Sequence, residues 1–379
     1  MLHDKLITKL LPEFDIISPQ FISNDVFKRS TEHLESNDQP IHEVQYEAFD
    51  TVFNVQLEKN DWLVRKGLQV ETLKADGTVE RKPLRTEDCH YYGSLKDHDN
   101  SAAAISLCNG RMHGMLSHNE TDYIIQPLRD NHASKMRTRR DVESPHIIYK
   151  KSVSRPAEES EDPTEGRHQP FCSYEAPVTT RRQKYLELFV VADKNMVDFH
   201  GNNTEDYVFS LMNVVSRRYA DPSLDITLRL HIVKLLLLDT DSPTLQGSTF
   251  DVTGASSTLD DFCEWQADIN PLHDFHPEHW DNAILLTRLG LNHDDDYGCM
   301  SGLNIMSSWR PAGRDSFTWS ECSRQNIRTF LGGPIATCLN DVPSNSPLPV
   351  AELVGRPTTL TSNVNWHWVL EHRPARVTL

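Results

Sequence analysis

Between residues 40 and 130 apolar positions recur two apart. Val52-Phe53-Asn54-Val55-Gln56-Leu57 alternates apolar with polar, which predicts strands with one wet face. Ala75-Asp76-Gly77-Thr78 supplies the turn of a hairpin. From residue 183 the pattern changes. Lys184-Tyr185-Leu186-Glu187-Leu188-Phe189-Val190-Val191-Ala192-Asp193-Lys194 is rich in β-branched and aromatic residues and predicts a buried strand. Thr204 is placed to cap a helix in which Val208, Leu211, Met212, Val215 and Tyr219 recur at three and four. Ile226-Thr227-Leu228-Arg229-Leu230-His231-Ile232-Val233-Lys234-Leu235 alternates as the next strand. Ser257-Thr258-Leu259-Asp260 is a capping box ahead of the helix Asp261-Phe262-Cys263-Glu264-Trp265-Gln266. Asp281-Asn282-Ala283-Ile284-Leu285-Leu286-Thr287 is a short buried strand. The fold class expected is α+β overall, a β-rich domain followed by an α/β domain with a largely parallel sheet.

The shifts in pattern divide the chain into five segments: an N-terminal extension (1–39), the β-rich domain (40–132), a linker (133–182), the α/β domain (183–343) and a tail (344–379). The linker holds the basic cluster Lys135-Met136-Arg137-Thr138-Arg139-Arg140 and the acidic run Glu158-Glu159-Ser160-Glu161-Asp162-Pro163-Thr164-Glu165. A composition so poor in apolar residues predicts disorder and access for proteases. Arg137-Thr138-Arg139-Arg140 fits the R-x-R-R pattern of furin-like proprotein convertases, with cleavage after Arg140, and Arg181-Arg182 is a weaker dibasic site. The alternative is a solvated charge cluster. The tail has no cysteine and no periodicity, and Trp366-His367-Trp368 is its only dense patch; it is expected to be unstructured.

A net charge of -17 argues against nucleic acid as a partner, because neutralising phosphates requires a basic face. The longest aliphatic run, Leu235-Leu236-Leu237-Leu238, is far too short to span a bilayer. Seven cysteines suggest a secreted protein with one thiol left over if the others pair. Asn119-Glu120-Thr121 and Asn202-Asn203-Thr204 are glycosylation sequons compatible with that route. The first residues, Met1-Leu2-His3-Asp4-Lys5-Leu6, lack the apolar core of a signal peptide. An N-terminus further upstream, or a form that is not exported, would account for this.

Candidate chemistry begins at Leu289-Gly290-Leu291-Asn292-His293-Asp294. Gly290 and His293 have the G-x-x-H spacing that ends the zinc signature H-E-x-x-H-x-x-G-x-x-H, and Met306 follows as a Met-turn would. The residues before Leu289 are Ile284-Leu285-Leu286-Thr287-Arg288. They contain neither the first two histidines nor the glutamate. His273-Asp274-Phe275-His276-Pro277-Glu278-His279 is no substitute, because Pro277 prevents the regular helix that would aim two imidazoles at one metal; it reads as a polar loop. Cys172 is a candidate switch cysteine whose thiolate would occupy a zinc site, although Ser173 stands where glycine usually follows. An exposed thiol, or a partner for another cysteine, is the alternative.

The chain resembles the ADAMTS branch of the reprolysin (adamalysin) zinc metalloproteases over residues 45 to 345. In the first half the resemblance rests on Cys89-His90-Tyr91-Tyr92-Gly93 and on Cys108-Asn109-Gly110, the two cysteine blocks of a reprolysin propeptide. In the second half it rests on Leu186-Glu187-Leu188, Phe262-Cys263-Glu264-Trp265-Gln266, His279-Trp280-Asp281-Asn282-Ala283 and Trp319-Ser320-Glu321-Cys322-Ser323-Arg324-Gln325-Asn326-Ile327. The resemblance implies a disulfide between Cys89 and Cys108 and another between Cys299 and Cys322. It implies His293 as a zinc ligand, Met306 as the floor of the site, and a calcium site at Glu187, Asp281, the Cys338 carbonyl and Asp341. The family partners of Cys263 and Cys338 fall in an internal block that this chain lacks, together with the active-site helix. The resemblance therefore implies a secreted zinc endopeptidase of extracellular-matrix proteins, with an incomplete catalytic domain in this chain. The expected alternatives are a non-catalytic binding or decoy form, or a truncated product that does not fold stably.

Overall fold

The computed structural model describes residues 13–22, 42–84, 88–98, 100–119, 121–128, 145–150, 183–252, 257–274, 276–288, 319, 321–343 and 369–371. The fold is α+β, as expected. The first sheet holds β1 (Phe14–Ile17), β2 (Gln20–Ile22), β3 (His42–Ala48) and β4 (Thr51–Lys59). After a hairpin, β5 (Gln69–Leu73) and β6 (Val79–Pro83), it continues with β7 (His90–Leu95), β8 (Ser101–Ser106), β9 (His113–His118), β10 (Thr121–Pro127) and β11 (His146–Lys150). Among the described residues it is a nine-stranded sheet in the order β1-β11-β10-β9-β8-β7-β4-β3-β2. The alternation read at Val52 to Leu57 is obeyed: Phe53, Val55 and Leu57 point into the core with Val44, Ile105, Leu116 and Ile125. β1, at one edge of the sheet, also meets β3 near the other edge, where Asp15 accepts a hydrogen bond from the backbone N–H of Phe49 at the β3–β4 turn.

The second sheet is built on β12 (Gln183–Ala192) and β13 (Thr227–Leu238), paired in parallel, with β16 (Asn282–Thr287) parallel to β12 on its other side. Between β13 and β16 lies a small hairpin, β14 (Thr244–Leu245) and β15 (Ser248–Thr249). Helices α1 (Lys194–His200) and α2 (Thr204–Tyr219) follow β12, α3 (Ser257–Ile269) precedes β16, and α4 (Glu321–Gly332) follows it in sequence. Both faces of β12 are buried, as its composition predicts. Leu188, Val190 and Ala192 meet Val208, Phe209 and Met212 of α2, and on the opposite face Phe189 and Val191 meet Phe262 and Trp265 of α3. Helix α2 also touches β7, β8 and β9, so it lies between the two sheets.

The structure departs from the sequence division in four places. β1 and β2 fall in the expected N-terminal extension and β11 falls in the expected linker, yet all three belong to the first sheet. Each is three to five residues long, too short to register against the polar composition around it. The β5–β6 hairpin, counted with the first domain, belongs to the second sheet: β5 pairs in parallel with β13. In the tail, expected to be unstructured, β17 (Val369–Glu371) pairs in parallel with β16, whose outer edge otherwise offers bare backbone groups. Thr204 does not cap α2. Asn203 occupies the cap position without a side-chain bond, and the Thr204 hydroxyl donates to the Gly201 carbonyl. Helix α3 opens at Ser257, at the predicted capping box.

Candidate metal centre

The sequence candidates separate into two groups. His293, Met306, Cys172, Cys299, Arg140 and Arg182, and with them the expected zinc ligand, the Cys299–Cys322 bridge and both cleavage sites, lie outside the described residues. The Cys89–Cys108 disulfide is formed, with the two Cα atoms 5.1 Å apart. Cys263 and Cys338 are thiols. Asn119 is exposed at the β9–β10 turn and Asn202 is exposed between α1 and α2.

The four calcium candidates converge where β12, the start of β16 and the 3-10 turn Pro334–Asn340 meet. Asp281 and Glu187 are locked reciprocally. The Asp281 N–H donates to the Glu187 carbonyl at 3.0 Å, and the Glu187 N–H donates to Asp281 Oδ2 at 2.8 Å. The Cys338 thiol also donates to the Asp281 carboxylate. Lys184, one pleat before Leu186 on β12, fastens the 3-10 turn to the strand through the Ala336 carbonyl at 3.0 Å and Asn340 Oδ1 at 2.6 Å. That bond brings Asp341, the next residue in the chain, to the cluster.

Sequence reading missed two members. Asp274 and His279 come from the polar loop and lie with Asp281 so that their ligand atoms fall within 4.8 Å of one another. His279 Nδ1 bonds the Pro271 carbonyl at 2.7 Å, and its Nε2 faces Asp274 at 3.6 Å. Hydrogen bonds from the His276 N–H to the His273 carbonyl and from the His279 N–H to the His276 carbonyl give the segment successive turns. The only sequence signal was the density of His and Asp, which does not specify which side chains turn inward.

Negative charge is concentrated here with little to oppose it. Burial, and then the charges of Asp281, Asp341 and Asp274, push the Glu187 carboxyl up to about 9. Burial raises Asp281 to about 7, and burial with the neighbouring carboxylates raises the Cys338 thiol to about 12. Arg65 offsets Glu187 only weakly while its guanidinium donates to the Pro277 carbonyl at 2.7 Å. Such a group must either hold protons or receive a cation, and its oxygen donors fit a hard ion rather than a soft one.

A second buried carboxylate organises the end of the sheet toward which the zinc signature would run. Asp193 caps α1 through the Met196 N–H at 2.7 Å and accepts the Thr287 hydroxyl at 2.6 Å. It thereby ties the last residue of β16 to the end of β12.

Comparison with known proteins fits this architecture. Residues 14–96 match the reprolysin family propeptide, and that match begins at β1. The chain is 27% identical over 383 positions to "A disintegrin and metalloproteinase with thrombospondin motifs 7" of Mus musculus, covering 80% of this chain and 22% of that protein. It is 29% identical over 390 positions to the Homo sapiens protein of the same name, with the same shares. These matches support a protein of the ADAMTS branch of the reprolysin family. Human motifs-15 protein shares 33% identity over 232 residues, 54% of this chain and 23% of its own length. The chain thus spans less than a quarter of the length of these ADAMTS relatives. Metalloproteinase-II from Bacteroides fragilis covers 73% of the chain at 11% identity and a TM-score of 0.26, too low to equate the folds. Among the described residues no helix is long and apolar enough to cross a membrane.

Proposed function

We propose that this chain is a non-hydrolysing form of a secreted zinc metalloendopeptidase that acts on extracellular-matrix proteins. The observation that carries the reading is the junction after β16. The strand ends at Thr287, and five residues, 288–292, separate it from His293. An active-site helix bearing two zinc histidines and a general-base glutamate does not fit in that interval. The alignment to the mouse relative supports it: 383 positions are compared although only 80% of the 379 residues take part, so stretches of the relative face gaps in this chain.

Zinc, when held in the family's manner, activates a water for attack on a peptide bond. His293 alone would neither retain the metal nor orient that water. Calcium is the cofactor that this chain's own residues fit, at Glu187, Asp281, Asp341 and the Cys338 carbonyl, where it would offset the charge among buried carboxylates. What remains is a binding or decoy role carried by the propeptide half, whose sheet and disulfide are intact. Glycosylation at Asn119 and Asn202, and convertase cleavage after Arg140 or Arg182, belong to the same secreted reading.

Metal analysis of the purified chain, alongside cleavage of a generic peptide substrate with and without a zinc chelator, tests this. The expected result is substoichiometric zinc and no chelator-sensitive turnover. One zinc per chain with chelator-sensitive cleavage would overturn it.

A further inference from the structure

We infer that residues 63–84, which lie within the propeptide match, are a permanent part of the second sheet, so that cutting the linker leaves a two-chain complex instead of releasing residues 183–343. The contact has the character of a fold interior. β5 adds to the edge of β13 in parallel register, Val70 opposite Leu235 through Leu73 opposite Leu238. Upstream, the Ile232 N–H donates to the Leu63 carbonyl at 2.8 Å and the Arg65 N–H returns to the Ile232 carbonyl at 3.2 Å. Downstream, the Asp239 N–H donates to the Leu73 carbonyl at 2.9 Å.

Side chains close the same seam. Leu63, Leu68, Val70 and Leu84 sit in one core cluster with Leu188, Val190 and Met212, and Leu73 sits in the cluster on the other face of the sheet with Phe189 and Trp265. Both core layers of the second unit are therefore completed by the first half of the chain. Glu71, nearly buried, bridges Lys234 of β13 at 3.3 Å and Arg81 of β6 at 2.7 Å. If the first half left, β13 would keep an edge of Leu235 to Leu238 with open N–H and C=O groups, the kind of edge that folded proteins cover. A released second unit would also carry gaps where four or five apolar side chains had been. The seam uses neither zinc nor His293, so the inference is independent of the catalytic reading.

The test uses the full chain with a site for a specific protease placed between residues 156 and 165. After complete cutting, verified under denaturing conditions, native size exclusion should return both fragments in one peak at the mass of the uncut chain. Hydrogen exchange should show the amides of residues 235–238 as protected as before cutting. Separation of the fragments, whether the C-terminal one stays soluble or precipitates, would overturn the inference. So would loss of protection at 235–238 within a co-eluting pair, since the fragments would then be held elsewhere.

Discussion

Asn60, at the end of β4, and Asn213, on α2, share a side-chain hydrogen bond of 3.0 Å in the interior between the two sheets. The Asn213 amide uses its other end as well, donating to the carbonyls of Tyr91 at 3.0 Å and Ile105 at 3.3 Å. One fully buried side chain therefore satisfies three groups of the propeptide sheet. Asn213→Leu removes the amide while keeping the volume, and takes away the acceptor of the Asn60 amide and the buried donor shared by the two carbonyls. A loss of about 2–4 kcal/mol is expected, since each unsatisfied buried polar group costs about 1–3 kcal/mol. Urea unfolding measures it, and a change below about 0.5 kcal/mol would show that the two sheets do not depend on this contact.

The acidic cluster predicts a stability that responds to calcium. With the ion at a hundred times its dissociation constant, folding gains about 2.7 kcal/mol, which raises Tm by roughly 5–10 °C in a domain of this size. Chelation should reverse the shift. Asp281→Asn removes a carboxylate that faces Glu187 and should abolish the response while leaving a folded protein, because the asparagine can still accept from the Glu187 N–H. Equal calcium shifts in the parent and the variant would locate the ion elsewhere.

The two cysteine blocks show how far a motif can be read before its geometry is known. The resemblance supplied Cys89 with Cys108, and the sequence alone gives no reason for the glycines beside them. At Gly93 a Cβ would stand 2.2 Å from the Gln56 carbonyl oxygen and 2.7 Å from Leu57 Cδ2, because Gly93 of β7 lies directly opposite Leu57 of the paired strand β4. Gly110 takes φ +71 two residues after the second cysteine, following Asn109 at φ 53. Gly93→Ala is accordingly expected to cost about 2–3 kcal/mol, the usual penalty for overpacking. Its urea midpoint relative to the parent checks this, and an unchanged midpoint would mean that β4 yields freely.

What the sequence disclosed was local: the alternation at Val52 to Leu57, the buried run at Phe189 to Ala192 and the spacing of α2 each reappear as read. What it concealed was non-local. Nothing in Gln69 to Leu73 says that the strand will leave its neighbours in sequence and pair with Leu235 to Leu238, more than 150 residues later. The same holds for the candidate metal centre. Glu187 and Asp281 were legible through the resemblance, whereas Asp274 and His279 join them only because the loop ending at Trp280 folds back through the hydrogen bond of the Asn270 amide to the Trp280 carbonyl.

His113 gives a pH dependence whose sign can be worked out. Burial first, and then the positive charges of His146 and Arg111, hold its imidazolium down to about 4, against 6.5 for an ordinary histidine. Above pH 6.5 the side chain is neutral in both the folded and the unfolded chain, and it contributes no slope. As pH falls from 6.5 to about 4, the unfolded chain takes up a proton that the folded chain refuses. Stability is lost across that window and levels off below it. At about 1.4 kcal/mol per pK unit the loss is at most about 3 kcal/mol, and partial exposure of the ring reduces it to about 1–2 kcal/mol. Carboxylates titrate in the same range, so the informative quantity is a difference. His113→Gln should unfold in urea with a smaller drop between pH 7 and pH 4.5 than the parent, and parallel pH profiles for the two proteins would remove His113 from the account.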